Sequence, residues 1–233
     1  MTGKMKITKK QLKEPDEFIT LTERGFLFVS QHAKPVAIGV GVVIVVILAF
    51  FALRWWDKNN EVRAAQKFNS MIEVYQKAMN PTQEGSSAES KSALEKIDEL
   101  IRQFPRTSWG KAAYLYRGNI HLRLGDYQEA IKDYDSLLDK SGIQKVYYSF
   151  ATEGLGYAYE GKKEYEKALE SFKKTLEKGE AFQTAETTLN IARLYERLGK
   201  TSEALENYQA YLKTAPGSPK TSFVLRRISS IEK

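Results

Sequence analysis

Apolar residues follow two different rules along this chain of 233 residues. At residues 36–53 they form an unbroken run, VAIGVGVVIVVILAFFAL, with no charged or polar side chain. Eighteen residues make about 27 Å of helix at ~1.5 Å per residue, close to the thickness of a bilayer's hydrocarbon core. Thirteen of them are Val, Ile, Leu or Phe, and side chains of this kind together favour insertion by about 4 to 8 kcal/mol. Lys34 and Arg54 flank the run where they can snorkel to headgroups, Trp55 and Trp56 stand at interface depth, and Pro35 falls in the first helical turn. The long lead before the run and the lack of a small-residue cleavage site argue against a cleaved signal peptide. The expectation is an uncleaved transmembrane signal anchor over residues 35–56.

Beyond it the pattern turns helical in period. Val62, Ala65, Phe68, Ile72, Tyr75 and Met79 recur at spacings of three and four, which predicts an amphipathic helix over residues 57–79 leading from the membrane. Asn80-Pro81 ends it, and NPTQEGSSAES reads as a polar loop over residues 80–90. Ahead of the anchor, residues 1–34 carry seven Lys or Arg against four acids, a basic tail. After Pro15 the positions of Phe18, Ile19, Phe26 and Val29 fit an interfacial helix.

The remainder repeats itself. The segments KSALEKI, DYQEAIKDY, EYEKALESF and TSEALENY place Ala93, Ala130, Ala168 and Ala204 in register, at separations of 37, 38 and 36 residues. Four residues after each alanine comes a large side chain, Ile97, Tyr134, Phe172 and Tyr208. Two antiparallel helices need such a pair, a small residue where backbones approach and a bulky one to fill the groove. Twelve residues before the last three alanines stand Gly118, Gly156 and Ala192, followed three residues on by His121, Tyr159 and Tyr195, while Pro105 and Pro216 close the first and last units. This set resembles the tetratricopeptide repeat, although Tyr114, Thr152 and Thr188 replace its early Trp and the closing Pro is missing at Gly142 and Glu180. The resemblance covers residues 88–216. It implies an all-α fold, a single transmembrane helix followed by a tetratricopeptide α-solenoid of about three and a half repeats. TSFVLRRISSIEK forms the C-terminal cap helix of a repeat domain over residues 91–233.

Composition narrows the chemistry. Mean hydropathy of −0.46 describes none of these parts. With no cysteine and only His32 and His121, thiolate chemistry is excluded and histidine sites are poorly supplied. His121 falls on a packing position of the repeat, so a core ring is expected there and not a metal ligand. No Gly-rich phosphate loop or zinc-protease or esterase signature occurs. No catalytic, cofactor or metal residue is assigned, and no enzyme activity or small-molecule substrate is expected. The net charge of +7 is dispersed and the tail lysines have no interleaved aromatics, which speaks against nucleic acid.

By the repeat pattern, a protein-binding groove would be lined by Leu115, Asn119, Leu122 and Arg123 in one first helix. Glu153, Tyr157 and Glu160 follow in the next, then Leu189, Arg193, Glu196 and Arg197. Compared with repeat proteins that clamp chaperone tails, Asn119 matches one clamp position, while Leu115, Gly154 and Glu186 stand where Lys, Asn and Lys would be. Capture of a terminal carboxylate by that clamp is not supported. Charges near the anchor leave its orientation open.

Tail, uncleaved anchor, emerging helix and repeats together resemble the YfgM-type family of ancillary subunits of the bacterial Sec translocon. That resemblance implies a single-pass protein of the bacterial inner membrane, N-terminus cytoplasmic and repeat domain periplasmic. Its partners would be the lipid bilayer, the Sec channel and a membrane-anchored periplasmic chaperone. The alternative is an adaptor of another envelope complex, for outer-membrane assembly or cell division.

Overall fold

The computed structural model describes residues 17–80, 87–178 and 181–232, and the described residues are almost entirely helical, without a strand. The chain divides into two units, residues 1–56 and 57–233. The first contains α1, Glu17–Gln31, and the start of α2, Ala33–Met79. The lysine-rich positions before residue 17 lie outside the described residues. From Ile38 to Leu53 the large apolar side chains of α2 are exposed. By length and composition this stretch can cross a membrane. No helix break separates the expected anchor from the expected amphipathic helix, because nothing in RWWDKNNEV interrupts the hydrogen-bond ladder.

In the second unit the helices follow in antiparallel pairs. They are α3, Ser87–Gln103; α4, Ser108–Leu124; α5, Tyr127–Leu138; α6, Lys145–Gly161; α7, Tyr165–Lys178; α8, Thr184–Arg197; α9, Thr201–Thr214; and α10, Thr221–Ile231. One 3₁₀ turn, Ala181–Gln183, precedes α8. Two boundaries differ from the sequence reading. Helix α3 begins at Ser87, inside the expected 80–90 loop, since only Pro81 and Gly85 there oppose a helix and residues 81–86 lie outside the described ones. The repeats also begin earlier than residue 91. Ala64, Phe68, Met71 and Ala78 of α2 are buried with Ala93, Ile97 and Leu100 of α3 and with Ala112, Ala113 and Ile120 of α4. Phe68 lies 4.7 Å from Trp109 and 5.2 Å from Tyr116, ring centre to ring centre. The Glu61 carboxylate accepts the Ser108 amide at 2.7 Å, at the amino end of α4. Residues 57–79 therefore pair with α3. Three further pairs, α4/α5, α6/α7 and α8/α9, lead to α10, the cap.

The hairpins α4/α5, α6/α7 and α8/α9 turn in the same way. Gly125, Lys163 and Gly199 have φ of 80°, 63° and 70°, and the following amides, Asp126, Glu164 and Lys200, donate to the carbonyls of His121, Tyr159 and Tyr195 at 2.9 Å. This is the Schellman arrangement that ends a helix on a left-handed residue. Lys163 stands where its counterparts are glycine, at a cost of about 1 kcal/mol.

Helix contact depends on rings set against bare backbone. The four register alanines are fully buried, as are Ile97, Tyr134, Phe172 and Tyr208 one turn on. A β-carbon at Gly118 would lie 2.7 Å from the Tyr134 ring, at Gly154 2.4 Å from the same ring, and at Gly156 2.6 Å from Phe172. Tyr134 is thus held between its own repeat and the next. Beside it Arg117 donates to Asp133 and Asp98 and lies 5.1 Å over the Tyr114 ring. Asp133 is only 3% exposed, and its dehydration pushes its pKa up against the pull of Arg117. The His121 ring lies between Asp126 and Asp133, 3.6 and 3.8 Å from their carboxylates.

Gly156→Ala should lower stability by about 1–3 kcal/mol, although glycine to alanine in an open helix is worth about 1 kcal/mol in the other direction. Urea denaturation of the single variant and of Gly156→Ala with Phe172→Leu measures this. A stabilised single variant, or no recovery in the pair, contradicts the interlock.

Candidate functional site

The first helices α4, α6 and α8 bring most of the expected groove residues together. Asn119, Leu122, Arg123, Glu153 and Tyr157 line a hollow of 290 Å³ with Met79, Phe150 and Gly154. Leu122 and Tyr157 also border a second hollow of 490 Å³, with Tyr127, Glu160, Lys163, Arg193 and Arg197. Arg193 and Arg197 in turn border a third of 360 Å³, with Glu196, Tyr208, Phe223 and Arg227. Shared residues make the three a continuous strip. The exceptions are Leu189, 3% exposed in a core with Ala192, Ala204 and Tyr208, and Leu115, buried with Ala130 and Tyr134. Each lies one turn before a strip residue of the same face, Asn119 or Arg193, at a level where the second helix of the pair covers it.

The polar side chains of the strip form a ladder from repeat to repeat. Asn119 donates to the Tyr75 hydroxyl at 3.2 Å and accepts from Tyr134 at 2.8 Å. Gln183 donates to Glu153 at 2.6 Å, and Asn190 donates to Tyr157 at 2.8 Å. Arg193 donates to Asn190 at 3.0 Å and to Glu160 at 2.9 Å. Tyr208 donates to Glu196 at 2.7 Å, and Arg227 of the cap helix pairs with the same carboxylate. Dehydration pushes the Tyr157 hydroxyl up to about 12, helped by Glu153. Dehydration also raises the Glu153 carboxyl, although Gln183 and Tyr157 pull it back. These groups are bound to one another and positioned to shape a surface. Among the described residues no cluster of His, Asp and Glu could hold a metal ion.

Several lining residues lie outside the first-helix positions from which the groove was read. Met79 enters from the end of α2, Lys163 from a turn and Arg227 from the cap. Lys163 was accessible to alignment, since KKEYEKA places it opposite Gly125 in LGDYQEA and Gly199 in LGKTSEA. Phe182, 67% exposed on the 3₁₀ turn, sits 5.9 Å from Phe150, a contact that no repeat pattern carries.

A raised Glu153 pKa means that the folded protein holds this proton more tightly than the unfolded chain, so its contribution to stability grows as pH falls through the folded pKa and is lost as pH rises. Glu153→Gln should therefore raise the melting temperature at neutral pH, with variant and parent converging in the carboxylate range. Thermal melts across that range test it, and a variant less stable at neutral pH contradicts it.

Among known proteins, an uncharacterized protein, ycf37 of Cyanophora paradoxa, is 29% identical over 114 residues, 49% of this chain and 63% of that protein's own length. The MamA RS-1 ArsTM double mutant superposes with a TM-score of 0.54 at 17% identity, over 71% of this chain and 83% of that one. MamA from Desulfovibrio magneticus RS-1, from residue 41 to its end, gives 0.50 at 15% identity, over 64% and 77%. At such identities the likeness is one of fold. The tetratricopeptide repeat-like domain matches residues 27–233, and with its paired helices, register alanines and concave strip the chain belongs to that family of protein-interaction scaffolds.

Proposed function

We propose that this chain is a membrane-anchored scaffold that holds a protein partner along the strip formed by α4, α6 and α8. It serves as an ancillary subunit of the bacterial Sec translocon, joining the channel to a membrane-anchored periplasmic chaperone during envelope protein biogenesis. The observation that carries the binding half is the continuity of the three hollows, which is what an extended or helical segment of another protein requires. Its polar groups are already committed to one another, so partners are read by shape, exposed apolar side chains and the charges left over. Nothing in the strip is poised for chemistry.

Support for the translocon half comes from the order of parts: a basic tail, α1, an apolar stretch of α2 fit to cross a bilayer, then repeats. In this reading α2 anchors the chain in the inner membrane by a single pass over residues 35–56. Tail and α1 lie on the cytoplasmic side, where the basic residues meet anionic lipid, and the repeats lie in the periplasm. The anchor and α1 dock against the channel laterally, while the groove holds the chaperone.

Pull-down of the full chain in mild detergent should retain the translocon channel, and recovery of no channel subunit overturns the translocon reading. Protease added to intact spheroplasts should digest the repeats and spare the tail. Repeats that resist until the membrane is ruptured overturn the orientation.

A further inference from the structure

We propose that the groove selects an acidic amphipathic segment of its protein partner, one that seats a large apolar side chain against Met79, Leu122 and Phe150 and sets Asp or Glu side chains against a row of three cations, Arg123, Lys163 and Arg197. This rests on the reading of the strip as a protein-binding surface and names the chemistry it reads.

The strip holds three acids, Glu153, Glu160 and Glu196, and five bases, Arg123, Lys163, Arg193, Arg197 and Arg227, and they are not equally available. Glu153 accepts from Gln183 and Tyr157, Glu160 from Arg193, and Glu196 from Tyr208 while also pairing with Arg227. All three carboxylates are turned into the ladder. The bases left over face outward. Arg123 lies in the last turn of α4, Lys163 in the turn after α6 and Arg197 in the last turn of α8, so successive repeats each contribute one to the same rim. All three border the hollows. Arg197 is 54% exposed and 3.8 Å from a Glu160 oxygen that Arg193 already occupies, with its guanidinium 5.8 Å from the Tyr165 ring.

A cation at a helix carboxy terminus complements the helix dipole, and that accounts for Arg123 and Arg197 without any ligand. It does not account for Lys163. At φ 63° a lysine is worse than the glycine that Gly125 and Gly199 supply at the equivalent turns, so its placement works against folding. A side chain kept in a strained conformation on a groove rim points to binding. Next to the row, Met79, Leu122, Phe150 and Tyr157 leave an apolar hollow open, extended by Phe182 beside Phe150. An apolar side chain without acids would leave the cations unmatched, and a basic segment would meet three like charges.

This is a different recognition from the terminal-carboxylate clamp, of which only Asn119 is matched here and whose other compared positions hold Leu115, Gly154 and Glu186. It requires acidic side chains along the segment and no free chain end.

The test uses the full chain in detergent and three synthetic peptides of one length, amidated at the carboxy terminus. The first carries a phenylalanine among acidic residues, the second has lysines in place of the acids, and the third keeps the acids but replaces phenylalanine by serine. Fluorescence anisotropy should show the first binding about tenfold tighter than either other, weakening as salt is added. Lys163→Gly should raise the melting temperature and still weaken the first peptide several-fold, which separates lost recognition from lost folding. Phe150→Ser should weaken the first peptide and leave the third unchanged. Equal or tighter binding of the lysine peptide, or a Lys163→Gly chain with undiminished affinity, overturns the proposal. If no peptide binds while the pull-down still retains its partners, the acidic specificity falls and the scaffold reading stands. If the acidic peptide binds and the channel is absent from the pull-down, the translocon reading falls and the groove chemistry stands.

Discussion

The repeat array depends on aromatic rings seated where a neighbouring helix has no β-carbon. Tyr134 lies against Gly118 of its own repeat and Gly154 of the next, and Phe172 lies against Gly156. A ring this large buries much apolar area, but only because the facing backbone comes close enough to close around it. The same close approach sets the spacing of α4 and α6, and hence the width of the surface their outer sides make. Stability and binding geometry are therefore consequences of one packing device, repeated with alanine at Ala130, Ala168 and Ala204 on the second helices.

Polar side chains then fix the order of the repeats. The ladder from Tyr75 through Asn119 to Tyr134, and from Gln183 through Glu153, Tyr157, Asn190 and Arg193 to Glu160, runs beside the aromatic seam. Groups dehydrated this far need their partners, so the ladder penalises any slip of one repeat against the next. It also removes the acids of the concave side from circulation. The surface offered to a partner is consequently more basic and more apolar than its residue list suggests.

Much of this was legible from residue order. The alanine register and the ring one turn later predicted the helix pairs, and the cap helix and the glycines at close approaches appeared where the pattern placed them. Asn119, Tyr157, Arg193 and their companions share one strip because first-helix positions repeat. Leu115 and Leu189 were misplaced by the same rule, since a helix position one turn away can lie on the concave side or under the neighbouring helix, and only the crossing of the helices decides which. Residues 57–79 were read as an amphipathic helix leading from the membrane, without a packing partner, because α3 follows a turn-rich segment read as a polar loop.

By itself the sequence determined what depends on local chemistry and period. That includes an apolar stretch long enough for a bilayer, helices in register at near 37-residue intervals, and the absence of cysteine chemistry. The tertiary structure decided which charges are spent and which remain. Glu160 and Arg197 look alike in a sequence as single charges on helices, yet Glu160 is turned into the ladder by Arg193 while Arg197, 3.8 Å from the same carboxylate, stays 54% exposed at the rim. That difference comes from contacts between residues more than thirty positions apart, set when α6 and α8 are brought together, and no local pattern encodes it.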